Sequence, residues 1–198
     1  MQGLPEELQE EVLLSLREPR DLYQACSTST DYRRICSGSS FWREKFAREG
    51  LPVLEEGENL SSWLKIYEKS TKDAQITDDI ISSGESLEIA LERLSDPFLL
   101  AIPGYEKELV RIWEGVQSRA SQRKPQSNVQ DRISSETNYY IYLLPVDYSY
   151  TIKVVRERRR NLFGQERSVR TILYELESMS KEDAWFFVYR LVYFGYRF

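Results

Sequence analysis

Leu4-Pro5-Glu6-Glu7-Leu8-Gln9-Glu10-Glu11-Val12-Leu13-Leu14-Ser15-Leu16 is the stretch from which the fold can be worked outward. Pro5 stands where a first helical residue is expected, because its φ is already helical and its missing N–H would have had no partner there. Glu6 and Glu7 follow in the first turn, where the positive end of the helix dipole favours acids. Leu8, Val12 and Leu16 recur at i, i+4 and i+8 with Leu13 beside them, opposite Glu7, Glu10 and Glu11. The spacing predicts an amphipathic helix that Pro19 stops.

Short helices are predicted to continue beyond it. Asp21 is placed to cap a second carrying Leu22, Ala25 and Cys26, and Ser29 or Thr30 a third carrying Tyr32, Ile35 and Cys36. After a break at Gly38, Ser39 and Ser40, a fourth helix over Phe41–Glu49 offers Phe41, Trp42 and Phe46 and ends at Gly50, where a left-handed residue is expected. A fifth, after Ser61, carries Trp63, Ile66 and Tyr67. A segment of about 40 residues seldom buries enough surface to be stable alone, so these helices need a neighbour. That neighbour is either a foreign subunit or the rest of this chain.

The run LPEELQEEVLLSL, then Asp21-Leu22, Tyr32-Arg33-Arg34-Ile35-Cys36 and Phe41-Trp42, resembles the F-box motif from Leu4 to about Phe46. The resemblance implies docking onto the Skp adaptor of cullin-based ubiquitin ligases. It also implies that Leu4, Pro5, Leu8, Val12, Leu13 and Leu22 supply adaptor-facing or motif-core surface. Thr28 and Ser29 depart from the aliphatic residue and cysteine usual in the family, and Tyr32 from the usual tryptophan. These departures bear on adaptor affinity more than on the fold.

At 198 residues there is room for one ordinary domain, or for a small module and a second of about 100 residues. The 4 Trp, 13 Tyr and 8 Phe are enough bulky side chains to close a core. With 0 His, the commonest general base and the usual zinc ligand are missing. No Gly-rich phosphate loop, nucleophile elbow or metal-ligand cluster is legible, and Asp78-Asp79 is a lone acidic pair of the kind that caps or solvates. The expectation is a non-enzyme with no cofactor and no metal. Cys26 and Cys36 read as core in a reducing, intracellular compartment, cytoplasmic or nuclear, because no basic-then-apolar signal segment opens the chain. The longest apolar-rich stretch, Ala184–Phe194, contains Arg190 and falls short of the roughly 20 residues of a membrane span.

Net charge is −5, yet acids outnumber bases only up to residue 137; from Asn138 to Phe198 bases lead by three. An acidic chain is a poor general nucleic-acid binder, so only that last third is a candidate. Before it, Ser86 precedes Leu87, Ala90, Leu91 and Leu94, spacing that predicts a helix closed by Asp96-Pro97. After a turn at Pro103-Gly104, Leu109, Ile112, Trp113 and Val116 predict another. Residues 117–138 read as a polar surface loop. Tyr139–Leu144, the alternation of Tyr148, Tyr150, Ile152 and Val154, and Val169–Leu176 predict three strands in a meander. Ser180 and Asp183 then open a closing helix, Lys181–Phe194.

Arg156, Arg158, Arg159 and Arg160, with Glu157 among them, are expected on a solvated hairpin tip between strands. Their alternative role is contact with a substrate or another anion, nucleic acid being the less favoured case. The reading is therefore an α+β chain. An F-box-like helical module with its following helix occupies residues 1–70, and a substrate-recruiting region with further helices, an antiparallel three-stranded sheet and a closing helix occupies 71–198. Its expected partners are a Skp-type adaptor, through it a cullin ligase, and an unidentified protein substrate, with no membrane. Two alternatives stay open. One is a structural or nucleic-acid-associated protein whose N-terminal helices are ordinary core, and the other is adaptor binding outside ubiquitin transfer.

Overall fold

The computed structural model describes residues 5–94, 96–100, 102, 106–122, 133–162 and 165–198. Two compact units meet at Ile76 and Thr77. The first contains α1 (Glu6–Ser15), α2 (Pro19–Thr28), α3 (Thr30–Cys36), α4 (Ser39–Arg48) and most of α5 (Leu60–Ser83). Proline starts two of them: Pro5 caps α1, and Pro19, besides ending the preceding segment, is the first residue of α2. The cap predicted at Asp21 therefore gives way to Glu18, because proline is preorganised for the first helical position. Ser29 caps α3, its hydroxyl accepting from the Tyr32 N–H at 3.0 Å. α5 is far longer than the helix expected after Ser61.

The core of the first unit is Leu13, Leu14, Leu22, Cys26, Ile35, Cys36, Phe41, Trp42, Phe46, Trp63 and Tyr67. Trp42 and Trp63 stack with ring centroids 5.9 Å apart, and Trp42 Nε1 donates to the Cys36 carbonyl at 2.7 Å. Gly57 lies so close to this pair that a β-carbon there would stand 2.6 Å from Trp63 Cγ, so only glycine fits. The two cysteines are fully buried, as expected of core residues, but they are joined in a disulfide, which the expectation of free thiols did not include.

The second unit is built on a four-stranded antiparallel sheet in the order β1-β2-β3-β4: β1 (Leu87–Ala90), β2 (Ile133–Val146), β3 (Ser149–Leu162) and β4 (Gln165–Met179). The fourth strand corrects the expected three. Leu87–Ala90 does not form the predicted helix but pairs with β2, Ile89 opposite Ile141, followed by a 3-10 turn at Leu91–Arg93. Leu87, Ala90, Leu91 and Leu94 match helical spacing, but buried Ile89 and pairing to β2 decide the outcome, since tertiary contacts override local periodicity in so short a segment.

The polar stretch 117–138 is also corrected: α6 (Glu106–Gln122) runs into it and β2 begins within it, while 123–132 lie outside the described residues, as does the turn expected at Pro103-Gly104. Tyr148 is not a strand residue but sits in the Asp147-Tyr148 turn between β2 and β3, fully exposed, with Asp147 in the left-handed region at φ 50°. α7 (Lys181–Tyr193) starts as expected, the Asp183 N–H donating to Ser180 Oγ at 3.0 Å.

One apolar core joins the sheet to the helices through Ile141, Leu143, Ile152, Val154, Leu109, Val116, Phe187, Val188 and Leu191. α7 buries that face and leaves Phe186 and Phe194 partly exposed. Polar ties close the edges: Trp113 Nε1 donates to the Leu94 carbonyl at 2.9 Å, Trp185 Nε1 to Asp78 Oδ1 at 2.7 Å, and the Ala90 N–H to the Tyr196 hydroxyl at 2.9 Å.

Candidate functional site

The first candidate surface is α1. Its apolar residues divide between two directions. Leu13 and Leu14 enter the core, whereas Leu8 and Val12, one turn apart, are 51% and 46% exposed beside exposed Pro5. Of the residues named from the motif, Pro5, Leu8 and Val12 thus lie at the surface, Leu13 and Leu22 are fully buried within the helices, and Leu4 lies outside the described residues. An exposed leucine and valine at i and i+4, backed by a packed helix face, form a short apolar strip that a partner could cover with a gain in buried apolar area.

Side chains from other helices hold α1 by its carboxylates and its C-terminal carbonyls. Arg48 of α4 makes a two-pronged contact with Glu11, each prong 2.7 Å, and Arg34 of α3 reaches Glu6 at 2.8 Å. These pairs are exposed and individually weak. Lys45 is different, since it has no exposed surface. Its Nζ donates to the Leu14 carbonyl at 3.0 Å and to the Leu16 carbonyl, and pairs with Glu49 at 2.5 Å. A buried ammonium thereby satisfies helix-end carbonyls that have no partner inside α1. The Tyr67 hydroxyl stands 2.9 Å from the Arg17 carbonyl and 2.7 Å from a Glu49 carboxylate oxygen. Burial and then the Glu49 carboxylate push the phenol far above its ordinary pKa, so it stays a donor. Lys45 was not singled out in the sequence, and Tyr67 and Glu49 were read only as a residue of the fifth helix and the end of the fourth, not as partners in one contact. The only signal was a lysine on the Phe41, Trp42 and Phe46 side of α4.

The second candidate is the arginine cluster. It is not on a hairpin tip: Arg156, Arg158, Arg159 and Arg160 lie inside β3, paired to β2 on one side and β4 on the other. The loop reading fails because the strands extend well past the apolar alternation that marked their covered half. Strand alternation divides the cluster. Glu157 and Arg159 face one way, and Glu157, 2% exposed, accepts from Arg159 Nε at 2.8 Å and from Arg170 Nε at 3.0 Å. Burial opposes ionisation of Glu157, but the hydrogen bonds from Arg170 and Arg159 outweigh it and hold the carboxyl below the usual range. Arg156, Arg158 and Arg160 share the opposite face with core residues Ile152 and Val154.

On that face a cleft of about 550 Å3 opens between α6 and the sheet, lined by Lys107, Arg111, Ile112 and Gly115 of α6 with Tyr139, Leu173 and Tyr174 of the strands. Among the described residues, no group of three or more His, Cys, Asp or Glu is arranged to hold a metal, and no helix is long and apolar enough to cross a membrane. No curated protein and no solved structure matches the chain. The family comparison meets the geometry at α1 to α4, the matched span ending on the last residue of α4. Residues 1–48 match the F-box-like family model, so this chain carries an F-box-like domain in its first unit.

Proposed function

We propose that the protein is an F-box-like adaptor: its first unit binds a Skp-type subunit of a cullin ubiquitin ligase, and its second holds the protein to be modified. The observation that carries the reading is the exposed strip of Pro5, Leu8 and Val12 on α1, inside the segment that matches the F-box-like family. The strip is left open while Leu13 and Leu14 close the core beneath it, so docking needs no unfolding. A partner that buries about 800 Å2 per side, with the leucine and valine near its centre, would make a specific complex. Catalysis belongs to the partner enzymes. The adaptor acts by raising the effective concentration of target beside them and needs no reactive residue of its own.

Co-purification of a Skp-type adaptor with the wild type and with Leu8→Asp/Val12→Asp tests the docking face. Recovery with the wild type and loss with the variant are expected; equal recovery from both would remove α1 as the contact. A reconstituted ubiquitination assay separates this role from adaptor binding without ubiquitin transfer. The reading in which the N-terminal helices are ordinary core gains nothing from Leu8 and Val12, which lie at the surface.

A further inference from the structure

The two faces of β3 handle the same residue type differently. On one face Arg159 and Arg170 are matched to Glu157, and Lys153 to Glu175 at 2.6 Å. On the other, Arg156, Arg158 and Arg160 follow one another at alternate positions, about 7 Å apart. Among the described residues no carboxylate pairs with any of these three, nor with Lys107 or Arg111 across the cleft. Arg156 Nε is shielded from solvent and has no hydrogen-bond acceptor, an uncompensated donor on this face of the sheet.

The arginine row does not line the cleft but begins beside it. Tyr139 lines the cleft and is the register partner of Arg156, so the two project side by side from the same face of the sheet. Lys107 and Arg111 are one helical turn apart on α6 and face the same space, with Ile112 and Leu173 supplying apolar wall. Gly115 opens the helix side: a β-carbon placed on it would meet nothing within 4 Å. The lining is thus cationic and apolar in one volume, within the range of pockets that enclose small ligands or a few residues of peptide.

We propose that this cleft and the Arg156, Arg158 and Arg160 row bind an extended peptide segment that carries anionic side chains at alternate positions next to an apolar residue. An extended peptide repeats its side chains on one face at the same interval as the arginines, which places acid against base without distortion. Nucleic acid fits less well, because its affinity needs a broad positive potential and this chain has net charge −5. Tyr139, moreover, is buried and does not offer a face for base stacking. The anion is a carboxylate or a phosphoryl group, chemically equivalent to arginine forks at this level. The inference deepens the reading of the second unit as the target-holding part and rests on it for biological meaning, although the binding itself does not require the adaptor.

The full chain is titrated by fluorescence anisotropy with three degenerate peptide pools that share an apolar position and differ at the flanking alternate positions: phosphoserine, glutamate or alanine. Binding of the phosphoserine or glutamate pool, and not of the alanine pool, is expected; phosphoserine alone would specify a phosphorylated target, and both together an acidic one. Lys107→Glu/Arg111→Glu, exposed on α6 and compatible with folding, should weaken binding about tenfold or more. Gly115→Phe, which grows into open space, should do the same by filling the cleft, and Leu8→Asp/Val12→Asp should leave peptide binding unchanged. Equal binding of the alanine pool, insensitivity to both α6 variants, or stronger binding of a single-stranded RNA than of any peptide would overturn the proposal. Adaptor recovery is measured in parallel: its loss with peptide binding intact retires the ligase reading and keeps the cleft, and the reverse result retires the cleft alone.

Discussion

The first unit packs helix against helix through side chains, as when Lys45 of α4 reaches the carbonyl of Leu14 in α1, whereas the second pairs strand with strand, setting Leu87 beside Leu143, and ties Asp78 to Trp185. In a helix the side on which a residue stands follows from its own spacing, even where its cover comes from elsewhere. Sheet pairing is not fixed in this way, because the partner strand decides which face of a residue is covered. The same difference separates the two candidate surfaces. The α1 strip is a local feature of one helix, and the arginine row exists only because β3 pairs along its whole length. A motif can therefore announce the first and has no means of announcing the second.

The comparison is most sharply tested at Lys45. Lys45→Met removes the buried ammonium from helix-end carbonyls and from Glu49 and should cost the first unit about 3 kcal/mol, read from the denaturant midpoint. A loss under about 1 kcal/mol would mean that α1 does not depend on this contact. Next comes the disulfide. Cys26→Ala/Cys36→Ala, or reduction of the wild type, should lower stability by about 2 to 3 kcal/mol, since the bond closes a short loop between α2 and α3. Coincident unfolding curves with and without reductant would show the bond to be absent in solution.

Smaller effects are expected where the second unit already has room or compensation. Gly115→Ala should stabilise it by about 0.5 to 1 kcal/mol, because an interior helical glycine is replaced in open space; destabilisation would show that the cleft wall is closer to α6 than described. Glu157 gives a pH test. A carboxyl held below its ordinary pKa contributes stability that is present above about pH 4.5 and is lost as pH falls through the lower folded value. Glu157→Gln should accordingly flatten the acid limb of the stability profile, and an unchanged limb would deny the Arg159 and Arg170 contacts that role. Smallest of all, Leu8→Asp/Val12→Asp should shift stability by less than about 0.5 kcal/mol, as partly exposed positions do. A larger loss would place these residues in the core and break the distinction between the two directions of α1.

The helices of the first unit were legible because their signals are local: Pro5, the Ser29 cap, the Gly50 stop at φ 67° and the aromatic face of α4 all act within a turn or two. Legibility failed at Leu87–Ala90, where matches to helical spacing concealed a strand, and at Arg156–Arg160, where charge concealed pairing. Lys107 and Arg111 were readable as i and i+4 neighbours on a predicted helix. Nothing in their spacing told that a sheet face with unmatched arginines would lie across from them.

By itself the sequence determined that the N-terminal unit is a succession of short helices punctuated by proline, serine and glycine, which residues there are bulky enough to make its core, and that the second unit mixes strands with helices. These follow from backbone preferences and apolar periodicity, which operate over a few residues. Only the tertiary structure decided that Leu8 and Val12 stay outside while Leu13 goes in, that Lys45 is buried against carbonyls, and that three arginines of β3 share one face with no carboxylate paired to them among the described residues. Those outcomes depend on which distant segment comes to cover each side chain, and burial and charge pairing are properties of that cover.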